Sequence, residues 1–145
     1  MNKPNIGLLL KQIYLEYTRL MDGKVGQYGI SSSQAEALYY ISLDEGLSQS
    51  QLKKHLGISA ASLSSLIDSL AAKQLAEREP DPSDPRRIKL YLTQKSKAFV
   101  GEIVDIKQAI YAGFNQNMSP AQLTLFAEWL EEFLSNVKQQ SQPRI

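Results

Sequence analysis

The sequence predicts a mostly helical fold, six helices interrupted once by a small two-stranded hairpin, and three observations predict it. Apolar residues recur at helical spacing over most of the chain. A serine or threonine stands just before several of these stretches, where a helix cap belongs. Only across Leu75–Glu79 and Ile88–Leu92 does the helical pattern give way to short, strand-like runs.

The first helix is expected from Ile6 to about Met21, with Ile6, Leu9, Leu10, Ile13, Tyr17 and Leu20 on one stripe. Gly23, Gly26 and Gly29 then predict a loop. Ser31–Ser33 offer caps for a second helix, and Glu36, three residues after Ser33, fits a capping box. That helix carries Ala37, Leu38, Tyr40 and Ile41 and is expected to run to Gly46. Ser48 or Ser50 caps a third helix that stops at Gly57, and Ser59 caps a fourth that runs to about Lys73. In the second strand, Ile88, Leu90 and Leu92 alternate with Lys89 and Tyr91. The segment between the strands, Pro80 to Arg87, holds three prolines, which exclude helix and limit ladder bonding. It is expected as a stiff, exposed hairpin tip. Thr93 caps a long fifth helix bearing Phe99, Val100, Ile103, Ile106, Ile110 and Phe114. Ser119-Pro120 opens a sixth, with proline at its first position, and Lys138–Ile145 is expected to be a frayed tail.

Composition narrows the function. At 145 residues, 43% hydrophobic and 21% charged, the chain has the makeup of one folded soluble domain. The N-terminal apolar run Ile6–Leu10 is broken by Gly7 and closed by Lys11, too short for a secretory signal or a membrane span. A cytoplasmic protein with no membrane partner is expected. Cysteine is absent, which removes disulfides, thiolate nucleophiles and thiol-based redox sensing. With one histidine, His55, and neither a phosphate-cradling glycine loop nor a His-Glu-x-x-His motif, catalysis is unsupported. His55 is read as a surface or packing residue, and no metal or cofactor is expected. The charges are unevenly spread. Between Gln49 and Lys97 nine basic residues face five acidic ones, while both flanks are net acidic. That pattern suits a polyanion site confined to the middle of the chain.

The same middle region holds the most informative constellation. Leu52 and Leu56 lie one turn apart, Gly57 permits a sharp turn, Ile58 plugs the corner, and Ser59 caps the next helix. Leu63, Leu66, Ile67 and Leu70 form that helix's inner face. This is how two short helices are locked at the angle that lets the second enter a DNA groove, a helix-turn-helix. At 100° per residue, Ala61, Ser62, Ser64, Ser65, Asp68, Ser69 and Ala72 fall on the opposite side. Serine is a mediocre helix former, whereas a merely solvated face favours Lys and Glu. Small hydroxyl side chains suit a helix lying close to base edges and phosphates in the major groove. The DNA-binding set expected here is Ser59, Ala61, Ser62, Ser64, Ser65 and Ser69 with Lys53, Lys54 and Lys73, of which Lys53 or Lys54 is the candidate phosphate contact.

The stretch Leu63 to Arg78 resembles the recognition helix and first wing strand of the MarR family. Asp84-Pro85-Arg86-Arg87 is followed by Leu92-Thr93, similar to that family's wing signature of Asp-x-Arg and, in register, Leu-Thr. The resemblance extends over essentially the whole chain. It implies a winged helix-turn-helix regulator of transcription, acting as a repressor on a pseudo-palindromic double-stranded operator. It implies that Arg86 enters the minor groove while Asp84 braces it, with Arg87 beside them. A narrow minor groove concentrates the negative potential that attracts a guanidinium. Three positions depart from the family pattern: Ser65 or Ser69 where arginine is common, Gln74 for a glycine after the helix, and Ser96 for a glycine after Leu-Thr. On this reading residues 1–145 form one domain, with a winged core over about 31–93 and dimerisation helices over about 5–22 and 94–140.

The last helix carries Leu123, Phe126, Leu130, Phe133 and Val137, a 3-4-3-4 seam of the coiled-coil kind. Such a seam serves packing within one chain or against a second copy. The terminal helices carry more apolar surface than a small winged domain needs, which favours a homodimer. Its expected contacts also include Ile6, Leu9, Ile13, Ile110 and Phe114. The resemblance places a small aromatic ligand between the dimer helices and the helix-turn-helix. Tyr14, Tyr17, Tyr39, Tyr40 and Tyr111 would line such a cleft, or would simply pack the junction. The competing function is a winged-helix module that binds protein and lacks specific DNA binding.

Overall fold

The computed structural model describes residues 2–142. The chain divides into two compact units, one ending at Gln108 and the other beginning at Ala109.

The first unit begins with α1, Ile6–Val25, capped by the Asn5 side chain. It runs through Gly23, the first of the glycines expected to form the loop, and closes on Gly26, with Met21 and Val25, one turn apart, both fully buried. A 3-10 turn, Gly26–Tyr28, leads to α2, Ser32–Leu43. The capping box of α2 is Ser31 with Gln34, not Ser33 with Glu36. Glu36 instead pairs with Lys107. α2 also ends at Leu43, short of the expected Gly46. Gly46 takes φ +90°, and a Cβ there would lie 3.1 Å from the Tyr91 hydroxyl that covers it.

α3, Gln49–Leu56, is capped by Ser48 in a capping box with Gln51 and closed by Gly57 at φ +64°. α4, Ala60–Ala72, starts from the Ser59 cap. The end of α4 is closed by Gln74 in the left-handed region, φ +59°, a conformation that favours glycine. Leu75 N–H donates to the Leu70 carbonyl and Gln74 N–H to the Ala71 carbonyl, both at 2.9 Å, which makes a Schellman closure on a non-glycine residue.

β1, Ala76–Asp81, and β2, Asp84–Leu92, pair antiparallel. Both run further towards the tip than the prolines suggested, with Pro80 opposite Ile88 and an irregularity between Pro80 and Asp81. A two-stranded ribbon is all edge, so a proline whose nitrogen points out of the ladder costs no bond. The α2–α3 connection adds to the ribbon: Gly46 N–H donates to the Leu90 carbonyl and Leu90 N–H to that of Leu47.

The helix expected to run unbroken from Thr93 is two helices, making seven α-helices among the described residues in place of six. α5, Gln94–Lys97, keeps the Thr93 cap, and α6, Val100–Phe114, begins after a turn at Ala98 and Phe99. The Phe99 ring stacks on Tyr28 at 4.8 Å, while the Tyr28 hydroxyl donates to Glu102. These contacts hold the break against the 3-10 turn. The core of this unit comprises Met21, Val25, Leu38, Ile41, Leu52, Ile67, Leu70, Leu90 and Ile103.

The second unit holds the end of α6 and α7, Pro120–Gln140, which has a Ser119–Gln122 capping box and proline in its first turn. α7 continues past Lys138, where fraying was expected, and closes on Ser141. The rest of the expected tail, 143–145, lies outside the described residues. Phe126, Phe133 and Val137 are exposed within this unit. No helix among the described residues is long and apolar enough to cross a membrane.

Candidate nucleic-acid interface

The two short helices are set by their inner faces. Leu52 of α3 and Leu63, Ile67 and Leu70 of α4 are almost fully buried, so α4 presents its other side outward. Ala61, Ser62, Ser64, Ser65 and Asp68 lie there, all exposed. Ser59 serves first as a cap: its Oγ accepts from Ser62 N–H at 3.1 Å and bonds the Ser62 hydroxyl at 2.9 Å. Lys53 and Lys54 are exposed in the last turn of α3, beside the α4 N-terminus.

The hairpin carries its cations at the tip. The Arg86 side chain is 94% exposed. Asp84 Oδ1 accepts from the Arg86 backbone N–H at 3.1 Å and approaches its Nε at 3.5 Å. The carboxylate therefore holds the base of the arginine while leaving the fork in solvent. Arg87 is exposed beside it. Within the hairpin, Asp81 is turned inward. Its carboxyl is held below the usual carboxylate range, first by the Ser83 hydroxyl and then by the Ser83 backbone N–H, with Lys89 and Arg87 adding to the effect.

Two residues of the expected set face elsewhere. Ser69 Oγ donates to the Leu66 carbonyl and accepts from Gln34 Nε2 at 2.9 Å, so it faces α2. Lys73 Nζ donates to the Gly29 carbonyl and to Gln34 Oε1, each at 2.8 Å, and ties the end of α4 to the start of α2. Arg78 lies outside the expected set. Arg78 of β1 bonds Gln49, Asp68 and the Ser64 carbonyl. Its only sequence signal was the pair of opposite charges at 68 and 78.

Of the expected tyrosines, four lie in the first unit and Tyr111 lies in the second. Tyr17, Tyr39 and Tyr40 meet around a buried ion pair, in which Lys107 Nζ reaches Glu36 Oε1 at 3.0 Å and Oε2 at 2.9 Å. The Tyr17 hydroxyl donates to the same carboxylate. The ammonium lies 3.9 Å from the Tyr39 ring centre, and Tyr40 stacks on His55 at 4.7 Å. Tyr14 is 66% exposed, and Tyr111, in the second unit, packs edge-on to Phe114. Sequence reading passed over Lys107, although a lysine one turn from Ile103 on an apolar stripe is a signal. Of the residues expected at a dimer contact, Ile6, Leu9 and Ile13 on α1 are exposed in the first unit, and Phe126, Phe133 and Val137 on α7 are exposed in the second, where Phe114 meets Tyr111. Ile110, Leu123 and Leu130 are half-buried.

Comparison with known proteins gives a consistent picture. The model of the MarR family matches residues 28–87, from the 3-10 turn to the wing tip. The transcriptional repressor NicR of Pseudomonas putida is 24% identical over 105 residues, 72% of this chain and 66% of that protein. Among solved structures, the transcriptional regulator SlyA superposes with a TM-score of 0.85 at 18% identity, covering 94% of this chain and 96% of that one. An S. aureus MepR–DNA complex also gives 0.85, at 24% identity and 93% and 99% coverage. The last two show the fold, a winged helix with a two-stranded wing.

Proposed function

We propose that the chain is a MarR-type regulator, a sequence-specific double-stranded DNA-binding regulator of transcription acting as a repressor; the family model's match to residues 28–87 supports this reading. The observation that carries this reading is the wing tip, an almost fully exposed Arg86 held at its base by Asp84. A guanidinium so placed fits a narrow minor groove, where negative potential is greatest. Beside it in the fold, α4 offers small side chains that let a helix sit deep in the major groove. The regulators among the similar curated proteins support a binding function over catalysis.

The reading includes a homodimer. In the first unit Ile6, Leu9 and Ile13 are exposed on α1, and in the second Phe126, Phe133 and Val137 are exposed on α7, apolar side chains that a second copy would cover. Two-fold symmetry would present two α4 helices to successive major grooves roughly 34–36 Å apart and require a pseudo-palindromic operator. It also includes a small aromatic ligand near Tyr17, Tyr39 and Tyr40, lowering operator affinity through unequal binding to DNA-competent and other conformations.

Selection from random duplex DNA, followed by gel shift against a scrambled duplex of equal composition, tests the function. A pseudo-palindromic consensus bound at least a hundredfold more tightly than the scramble is expected. Enrichment of no sequence would leave the protein-binding module as the better reading. Sedimentation at tens of micromolar tests the dimer, and a thermal-shift screen of aromatic acids followed by operator titration tests the ligand.

A further inference from the structure

Arg78 leaves β1 and commits its whole guanidinium to the helix-turn-helix. Nε donates to Gln49 Oε1 at 2.8 Å, Nη1 to Asp68 Oδ1 at 2.7 Å, and Nη2 to the Ser64 carbonyl at 3.2 Å. Gln49 is the first residue of α3, while Ser64 and Asp68 lie one turn apart on the outward side of α4. One side chain therefore joins the supporting helix, the groove-facing helix and the first wing strand.

The chemistry suits a fixed joint. A guanidinium is planar and permanently charged, and bonds to three separate groups fix its plane as well as its position. A lysine could reach one of those acceptors but could not hold all three. The joint also answers an electrostatic problem. The Asp68 carboxylate, 66% exposed on the helix face expected to meet DNA, would repel phosphate, and the Arg78 cation neutralises it at contact distance. The mechanical need is equally plain. An isolated two-stranded ribbon is only marginally stable, and the backbone bonds from Gly46 and Leu47 hold it on the β2 side. Arg78 supplies the side-chain tie from β1 to α4.

Resting on the DNA-reading function above, we propose that Arg78 is a positioning residue that makes α4 and the wing engage DNA as one rigid unit. Contacts made by the helix and by Arg86 should then depend on each other. The loss of one lets the whole reader settle differently, so losing both costs less than the sum.

The test is a double-mutant cycle on the duplex selected by the wild-type chain, pairing Ser65→Ala on α4 with Arg86→Ala on the wing. The cycle is run with Arg78, Arg78→Gln and Arg78→Lys. Departure from additivity of about twofold or more is expected in the wild-type background, the lower end of coupling within one network. The departure should vanish with Gln and with Lys. Lys should nevertheless keep affinity for a scrambled duplex near the wild-type value, because Asp68 remains neutralised. Thermal midpoints show that each variant is folded. Additivity in the wild-type background, or coupling that survives in Arg78→Gln or Arg78→Lys, overturns the proposal and leaves the DNA-binding function standing. A wild-type chain that selects no duplex overturns both.

Discussion

Truncating the wing arginine separates binding from folding unusually well. In Arg86→Ala the intramolecular loss is one ion pair at 3.5 Å from a side chain 94% exposed. Exposed pairs of that kind contribute well under about 1 kcal/mol. Unfolding free energy should therefore stay within about 0.5 kcal/mol of wild type, the ordinary range for a surface substitution. Binding should behave differently. Removing one specific groove interaction costs about 1–3 kcal/mol, and a homodimer loses two, so operator affinity should fall by about 2–6 kcal/mol, at least about thirtyfold. Fluorescence anisotropy on the selected operator and on a scrambled duplex, at fixed salt, measures both affinities, and urea unfolding measures stability. Asp84→Ala should act in the same direction and less strongly, since it frees the arginine without removing it. Unchanged operator affinity in Arg86→Ala would remove the wing from DNA recognition. An equal loss on both duplexes would reduce Arg86 to a nonspecific phosphate contact.

Other perturbations test separate parts of the structure. Lys53→Ala or Lys54→Ala should weaken operator and scrambled duplex alike and reduce the log–log salt slope by about one for each phosphate no longer neutralised, as titration across salt would show. Gln74→Gly should stabilise the fold by about 1 kcal/mol, because glycine adopts the left-handed conformation at φ +59° without steric cost. At this chain length that is a rise of about 3 °C in thermal midpoint, measurable by calorimetry. Asp81 has a folded-state pKa below its ordinary 3.8, so its ionised form stabilises the hairpin above that pH, and this contribution is lost as pH falls through the lower folded value. Urea unfolding at pH 5 and pH 3 should accordingly show a smaller acid loss in Asp81→Asn than in wild type. Lys107→Met leaves Glu36 without its cation in a half-buried site and should cost about 3–5 kcal/mol. The double variant Lys107→Met/Glu36→Gln should recover most of that loss in the same assay.

What the sequence determined by itself is what local physics controls. The caps at Ser59, Thr93 and Ser119, and Ser48 as one of two candidates, were legible because a capping hydroxyl bonds a backbone N–H only three residues away. Gly57 was legible because a left-handed helix end favours glycine, and Leu52, Leu63, Ile67 and Leu70 because burial follows the 3.6-residue period. The Asp84–Arg86 brace was implied by the family resemblance and not by any local pattern, although the bond itself spans only two residues. Tertiary structure decided the rest. The helical period puts Ser69 and Lys73 on an arc of α4, but only Gln34, which bonds both, decides that they face α2. Arg78 finds Gln49 at a separation of 29 residues, and Lys107 finds Glu36 at 71. The break at Ala98–Phe99 follows from a ring stacked on Tyr28, far earlier in the chain. Such contacts join side chains whose separation carries no period, so no local pattern encodes them. They exist only once packing has brought the elements together.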